Sequence, residues 1–348
     1  MRPASPLLPN VAGLRKARKL ADAELVRTEK LLPGADLPLA LLPAVEDLDL
    51  ISWAGSHREF IQSLLLCHGG LLFRNFRISS PDEFRHFITA VSGEPLAYKE
   101  QTSPRSRVQG NIYTSTEYPP EHIIFLHNEN SYSSAWPLKI MFFCVTAPRE
   151  GGETPIADVR RVFARIPESV RDRFARDGWM MVRNFGTGYG LPWQTAFQTE
   201  DREEVDRHCL ANGIQTEWLS GDRLRIRQRR IAIRRHPVTG ETVWFNHATF
   251  FHVSTLAPEI RAGLQAELAE EDLPYNTYYG DGRPIEPEVL DILRDAYQQE
   301  TIKFPWQEHD LLLLDNMLAA HGRSAFCGPR KIVVGMTEPC SGDLENSQ

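Results

Sequence analysis

The sequence predicts a mainly β protein that also carries helices (α+β): an antiparallel barrel or jelly roll with helical decoration. Three observations point there. Runs of β-branched and aromatic residues, separated by Pro, Gly and Ser, lie in the middle and at the end of the chain. They bracket a stretch of helical patterning. No Gly-rich loop joins a strand to a helix, and no regular βαβ alternation is visible, so a nucleotide-binding α/β fold is disfavoured. The 348 residues, 42% hydrophobic and 24% charged, fit one large domain or two modest ones with a sizeable core.

Each element has a local reason. The first forty or so residues, rich in Leu, Pro and Lys with a helix-like stretch Arg15–Leu32, read as an extension packed on a body formed by the rest of the chain. Glu59–His68 has a helical pattern and runs into Gly69-Gly70, then the apolar strand Leu71–Arg74. Pro81–Ser92 places Phe84, Phe87, Ile88 and Val91 on one helical face. Asn111–Thr116, Ile123–His127 and Leu138–Val145 read as strands, and Asp158–Phe174 as mostly helix. Arg223–Ile233 and Glu241–Phe251 read as a strand pair around the turn at 236–240. Ile260–Glu270 and Glu286–Glu300 look helical, and Asp310–Leu314 and Lys331–Met336 close the chain as strands. The helical insertion spans about 160–300 of a single domain over 41–348.

Composition excludes several roles. Lys and Arg total 39 against 46 Asp and Glu, a net charge of −7, with the basic residues dispersed. That is no surface for a phosphate backbone, so nucleic acid is not an expected partner. No apolar run approaches the roughly 20 residues that cross a bilayer, so no membrane association is expected. Met1–Lys19 does not read as a secretory signal. The five cysteines are widely spaced and odd in number, against a disulfide framework or a cysteine zinc site and in keeping with a reducing cytoplasm.

Chemistry concentrates in two places. In Phe125-Leu126-His127-Asn128-Glu129, an imidazole and a carboxylate two residues apart share a face if the backbone is extended. In Leu311–Arg323, a buried strand ends in the polar turn Asp315-Asn316 and delivers His321. Two His and one carboxylate on one face of an octahedron leave three positions open, as in iron(II) oxygenases. Arg330 follows nine residues after His321 (330 − 321), and a guanidinium fork suits a carboxylate at fixed geometry. Gly151-Gly152-Glu153-Thr154-Pro155 presents a hydroxyl from a glycine turn. Taken singly, His-x-Glu is a chance pair, Arg330 a surface ion pair and Thr154 a turn residue; only their company and order argue otherwise.

In that company and order the pieces resemble the TauD/TfdA family of iron(II)/2-oxoglutarate dioxygenases, over about Leu71 to Met336. Closer still, His127-Asn128-Glu129-x-Ser131-Tyr132 with Trp136-Pro137 and Gly151–Ile156 looks like the syringomycin-type aspartyl β-hydroxylases. The resemblance implies a double-stranded β-helix (jelly roll) core, with His127, Glu129 and His321 on Fe(II) and Thr154 and Arg330 on 2-oxoglutarate. It also implies O2 as co-substrate, release of succinate and CO2, and hydroxylation of an unactivated carbon. Two departures bear on substrate. The wider family has Asp where this chain has Glu129, while Glu recurs in clavaminate-synthase-like amino-acid hydroxylases. Taurine dioxygenase places a second Arg where this chain has Val334, which argues against sulfonate chemistry. A halogenating relative would have Ala or Gly in place of Glu129.

The reading is therefore a hydroxylase of an amino-acid-like small molecule, free or tethered to a carrier protein. Substrate contacts are expected from Arg323, Arg105 and Asn246; a structural salt bridge is an equal reading of Arg323. The segment Trp244–His252 is either a core strand with hydrogen-bonded histidines or a pocket wall, and Gly186–Trp193 a lid or a plain loop. The competing classes are a barrel metalloenzyme that does not use 2-oxoglutarate, which would not need Arg330 and Thr154, and a non-catalytic metal-binding barrel.

Overall fold

Successive strands pass back and forth between two mainly antiparallel sheets that share a core. The computed structural model describes residues 25–97, 106–116 and 118–342. Its elements run β1 (Val26–Lys30), β2 (Leu39–Pro43), α1 (Leu50–Ser56), α2 (Arg58–His68), β3 (Gly70–Phe73), α3 (Pro81–Ser92), β4 (Arg107–Gln109), β5 (Ile112–Thr114), β6 (Ile124–His127), β7 (Ala135–Thr146), β8 (Glu150–Gly151) and β9 (Ile156–Asp158). After α4 (Val159–Arg165), α5 (Glu168–Asp177) and β10 (Trp179–Phe185) come α6 (Trp193–Phe197), α7 (Arg202–Ala211), β11 (Ile214–Leu219), β12 (Arg223–Arg230), β13 (Ile233–Arg235) and β14 (Thr242–Trp244). The chain ends with α8 (Pro258–Glu267), β15 (Tyr275–Tyr279), α9 (Pro287–Glu300), β16 (Leu311–Asp315), β17 (Ala319–Arg323), β18 (Phe326–Cys327) and β19 (Lys331–Ser341).

The larger sheet has the order β1-β2-β3-β16-β7-β19-β5-β4, and the smaller one β6-β17-β9. The path β5 to β6 to β7 to β9, and later β16 to β17 to β19, therefore alternates between them. This is a jelly roll. Alternation of side chains explains the run Leu311–Leu314. Leu312 and Leu314, with Ile140 and Phe142 of β7, join Ile156 and Ala319 of the smaller sheet in the core between the sheets. Leu311, Leu313, Met141 and Phe143 face the other way, against Phe84, Phe87 and Ile88 of α3 and Leu65 of α2. A sheet buried on both faces has no polar face, so its strands read as continuous apolar runs.

Helix α3 begins and ends where its sequence says. Ser80 caps it by accepting from Glu83 N (3.2 Å), and the Glu83 carboxylate accepts from Ser79 N (2.8 Å). Asp158–Phe174 becomes two helices, because Pro167 cannot continue the first. Three expectations are corrected. In the stretch Arg15–Leu32, residues 15–24 lie outside the described residues, while Val26–Lys30 is a strand paired with β2 at the edge of the larger sheet. Glu241–Phe251 is a strand only at Thr242–Trp244, since Asn246 then ties up the backbone with its side chain. Arg223–Arg230 pairs with β10 and β11, and the hairpin around 236–240 joins only β13 to β14.

Between β9 and β16, helices α4 to α9 surround the sheet β11-β12-β10-β15. The two ends of this segment meet. Ile156 and Ile302 exchange backbone hydrogen bonds of 2.9 and 2.8 Å, and Arg161 reaches Glu300 at 2.6 Å.

Candidate metal centre

Strand β6 lies beside β17 with His127 opposite His321, their rings 4.5 Å apart. Residues 194 apart in sequence thus become cross-strand neighbours, by pairing in the smaller sheet. Strand β6 ends at His127, so Glu129 reaches the same side from a turn rather than from extended backbone. One ligand atom each from His127, Glu129 and His321 lies within 4.8 Å of the others, and His321 Nε2 is 3.8 Å from Glu129 Oε2. These are the residues expected from sequence. His127 donates from Nδ1 to the Phe125 carbonyl at 2.9 Å, since a carbonyl only accepts, and this leaves Nε2 as its donor to a metal.

The set fits a divalent ion. On one octahedral face, bonds of about 2.0–2.2 Å put neighbouring donors roughly 3 Å apart, so the three side chains must draw in by up to about 1.8 Å to share one ion. The donor types, two neutral nitrogens and one carboxylate, are those of the iron(II) facial site rather than of a closed structural zinc site.

Thr154 and Arg330 line the same cleft as His127 and His321, together with Ser115 and Phe142. Arg330 donates from Nε to Gly152 O (2.9 Å) and from Nη1 to Ser115 Oγ (3.2 Å). Burial, then the nearby Arg323 charge, pushes its guanidinium down to about 10. Thr154 is 2% exposed, and its hydroxyl accepts from Trp306 Nε1 at 3.2 Å. The glycine turn is required: at φ +68, a Cβ on Gly151 would lie 2.2 Å from Ala325 O, and one on Gly152 2.7 Å from Pro148.

The other flank of His127 is aromatic. Phe250 lies 4.6 Å and His247 5.5 Å from its ring, and His247 stacks on Phe251. His247 Nδ1 is 2.5 Å from Ser131 Oγ, and burial holds this imidazole well below its usual value. His247 is a buried, hydrogen-bonded histidine, as the core reading of Trp244–His252 expects, while the half-buried Phe250 packs on the His127 ring.

The expected substrate residues fare differently. Arg323 lines the cleft but forms no salt bridge among the described residues. It spends Nη1 and Nη2 on the carbonyls of Tyr118 (2.8 Å), Pro119 (2.6 Å) and His122 (2.8 Å). Asn246 is not brought to the cleft; its amide donates to Ala232 O and accepts from Ala248 N. Arg105 lies outside the described residues. Loop 186–192 does not line the cleft, and Tyr189 within it donates to the Glu267 carboxylate. Sequence reasoning missed the partners Trp306, Ser131 and Asn316. Asn316 had one signal, its place in a polar turn just before the distal His.

An open His-Glu-His set at the end of a jelly roll defines a mononuclear non-haem metalloenzyme. The family model described as taurine catabolism dioxygenase TauD, TfdA family matches residues 35–337, and the chain belongs to that family. It is an iron- and 2-oxoglutarate-dependent dioxygenase. Among curated proteins it is 40% identical over 287 residues to the dapdiamide synthesis protein DdaC of Enterobacter agglomerans, covering 82% of this chain and 87% of that one. A clavaminate synthase-like protein of Arabidopsis thaliana is 28% identical over 315 residues, covering 87% and 91%. The fold is shared with PvcB of Pseudomonas aeruginosa, at a TM-score of 0.56 and 17% identity over 92% of this chain and 93% of that one.

Proposed function

We propose that this dioxygenase hydroxylates an unactivated carbon of an amino acid, free or carried as an amino-acyl thioester on a carrier protein, in natural-product biosynthesis. One observation carries the reading: the donors of His127, Glu129 and His321 converge beside a cleft that also holds Arg330 and Thr154. In this reading the first three hold iron(II), and Arg330 and Thr154 hold the far carboxylate of 2-oxoglutarate. The pathway assignment draws on the likeness to the dapdiamide synthesis protein. The amino-acid substrate draws on Glu129 standing where the wider family has Asp.

The bound iron and 2-oxoglutarate supply oxidative decarboxylation to succinate and CO2 and, with O2, the oxygen placed on the substrate. The chain's own residues orient and exclude. The Phe125 carbonyl fixes the His127 tautomer. Trp306 occupies one lone pair of the Thr154 hydroxyl, which turns its hydrogen to a carboxylate in the cleft. Ile124, Phe142 and Val334 give that cleft apolar walls, where charge-assisted hydrogen bonds are stronger than in water. On the other flank, the half-buried Phe250 against the His127 ring is the side chain a substrate would meet. No helix among the described residues is long and apolar enough to cross a membrane, and the five cysteines form no disulfide, as a cytoplasmic site allows.

The test is anaerobic. Iron(II) and then 2-oxoglutarate are added to apo-protein, and a weak visible charge-transfer band is expected, shifting when a candidate amino acid or its thioester is added. Folded, metal-loaded protein that shows no band would sink the 2-oxoglutarate reading of the cleft.

A further inference from the structure

The pairing of β6 with β17 sets His127 against His321, but that ladder stops at His127. Glu129 lies beyond it, and Asn130 follows at φ +56, so the strand does not continue. Something else must fix the carboxylate relative to the two histidines.

We propose that Asn316 is the positioning residue of the metal carboxylate, a step that rests on reading Glu129 as a ligand. The Asn316 side chain accepts from Glu129 N at 2.7 Å and donates to Glu129 O at 2.9 Å. One amide thereby satisfies both backbone groups of a single residue, as the next strand of a ladder would. The same Nδ2 donates to Pro137 O at 2.8 Å at the start of β7. Asn128 Nδ2 donates to Asn316 O at 2.7 Å, and Asn316 N to Leu138 O at 2.8 Å. Asn128 and Asn316 are both fully buried, so no water takes up a lost bond.

Position in the chain gives the amide its effect. Asn316 sits in the connection from β16 to β17, five residues before His321. It therefore couples the backbone of the carboxylate ligand to the strand that carries the distal His, across 187 residues of sequence. The turn is itself fixed: Asp315 Oδ1 accepts from Met317 N (2.9 Å) and Leu318 N (3.1 Å), and Oδ2 lies 3.1 Å from His236 Nε2. A merely structural Asn316 would lower thermal stability and leave the metal affinity of the folded protein alone. A positioning Asn316 moves that affinity.

The experiment measures Mn(II) binding to full-length apo-protein by the EPR signal of the free ion, with folding followed by circular dichroism. The variants are N316A, N316D, N128A and E129A. N316A is expected to bind Mn(II) about 10–100-fold more weakly than wild type, as removal of a ligand's supporting partner does. N128A, which removes only the bond to the Asn316 carbonyl, is expected to lose less. Wild-type Mn(II) affinity in folded N316A overturns the proposal, provided E129A has lost it. Wild-type affinity in E129A instead overturns the ligand reading and takes the proposal with it. Should N316A fail to fold, N316D, which is isosteric but lacks both amide donors, decides by the same criterion.

Discussion

Arg330 and Arg323 line one cleft with no carboxylate paired to either among the described residues. Burial first, and Arg323 second, push the Arg330 guanidinium down to about 10. Because the folded value lies below the unfolded one, the charged form costs stability at neutral pH, and that cost fades as pH rises past about 10. At neutral pH the buried charge is a cost that a dianionic ligand offsets. R330M is thus expected to leave the apo melting temperature unchanged or higher while abolishing the rise that 2-oxoglutarate causes in wild type. Its 2-oxoglutarate affinity should fall about 10–100-fold, the equivalent of ~1.5–3 kcal/mol for hydrogen bonds to a charge. R330K should also fall, because the planar fork is lost. Thermal shift and titration of the charge-transfer band read both effects, and an unchanged ligand-induced shift in R330M would remove Arg330 from the cofactor site.

In the proposed reading, Trp306 acts on 2-oxoglutarate through its hydrogen bond to Thr154. W306F should weaken 2-oxoglutarate binding several-fold, about 1 kcal/mol for one hydrogen bond, and T154V by at least as much. Mn(II) affinity measured without 2-oxoglutarate should not change in either. A W306F protein that loses Mn(II) instead would place the indole's role at the metal.

Arg323 lines the cleft and holds a loop at its edge. R323M removes the donors of three carbonyls at 118–122, and the unfolding free energy should drop by about 1.5–3 kcal/mol. Limited proteolysis should then cut within 118–122 faster than in wild type. Denaturant unfolding with an unchanged midpoint would show the guanidinium to be dispensable there.

Glu129 is the sharpest test of the metal set. E129A should hold iron(II) more than ~100-fold less tightly than wild type, beyond the loss for a supporting residue, and form no succinate at micromolar metal. Succinate production at the wild-type rate would contradict the assignment.

The elements readable in sequence are those whose signals are local. Helix α3 carries its cap, its Pro and its apolar stripe within 80–92, and β7 and β16 announce themselves as apolar runs. His127, Glu129 and His321 were legible because a metal site demands particular residue types, and Arg330 because of its spacing after His321. What stayed hidden depends on distant partners. Asn316 reads as any turn Asn until Glu129 is folded against it. Strand β10 contains Arg183 and Asn184, which break its pattern, and Asn184 is accommodated only because its amide donates to Leu273 O at 2.7 Å. The loop-holding bonds of Arg323 stayed hidden as well, because its carbonyl partners lie about 200 residues away, in a loop with no pattern of its own.

The Ile156–Ile302 bridge closes off one stretch of the chain at its base. Every residue assigned to iron or to 2-oxoglutarate lies outside the stretch it closes, whereas His247 and Phe250 lie inside. The stretch also reaches back out: His236 meets Asp315 in the turn before His321, and His247 meets Ser131 just after Glu129. Residues 157–301 are thus a graft with two fixed attachment points, and an exchange between relatives has to carry both histidines with it.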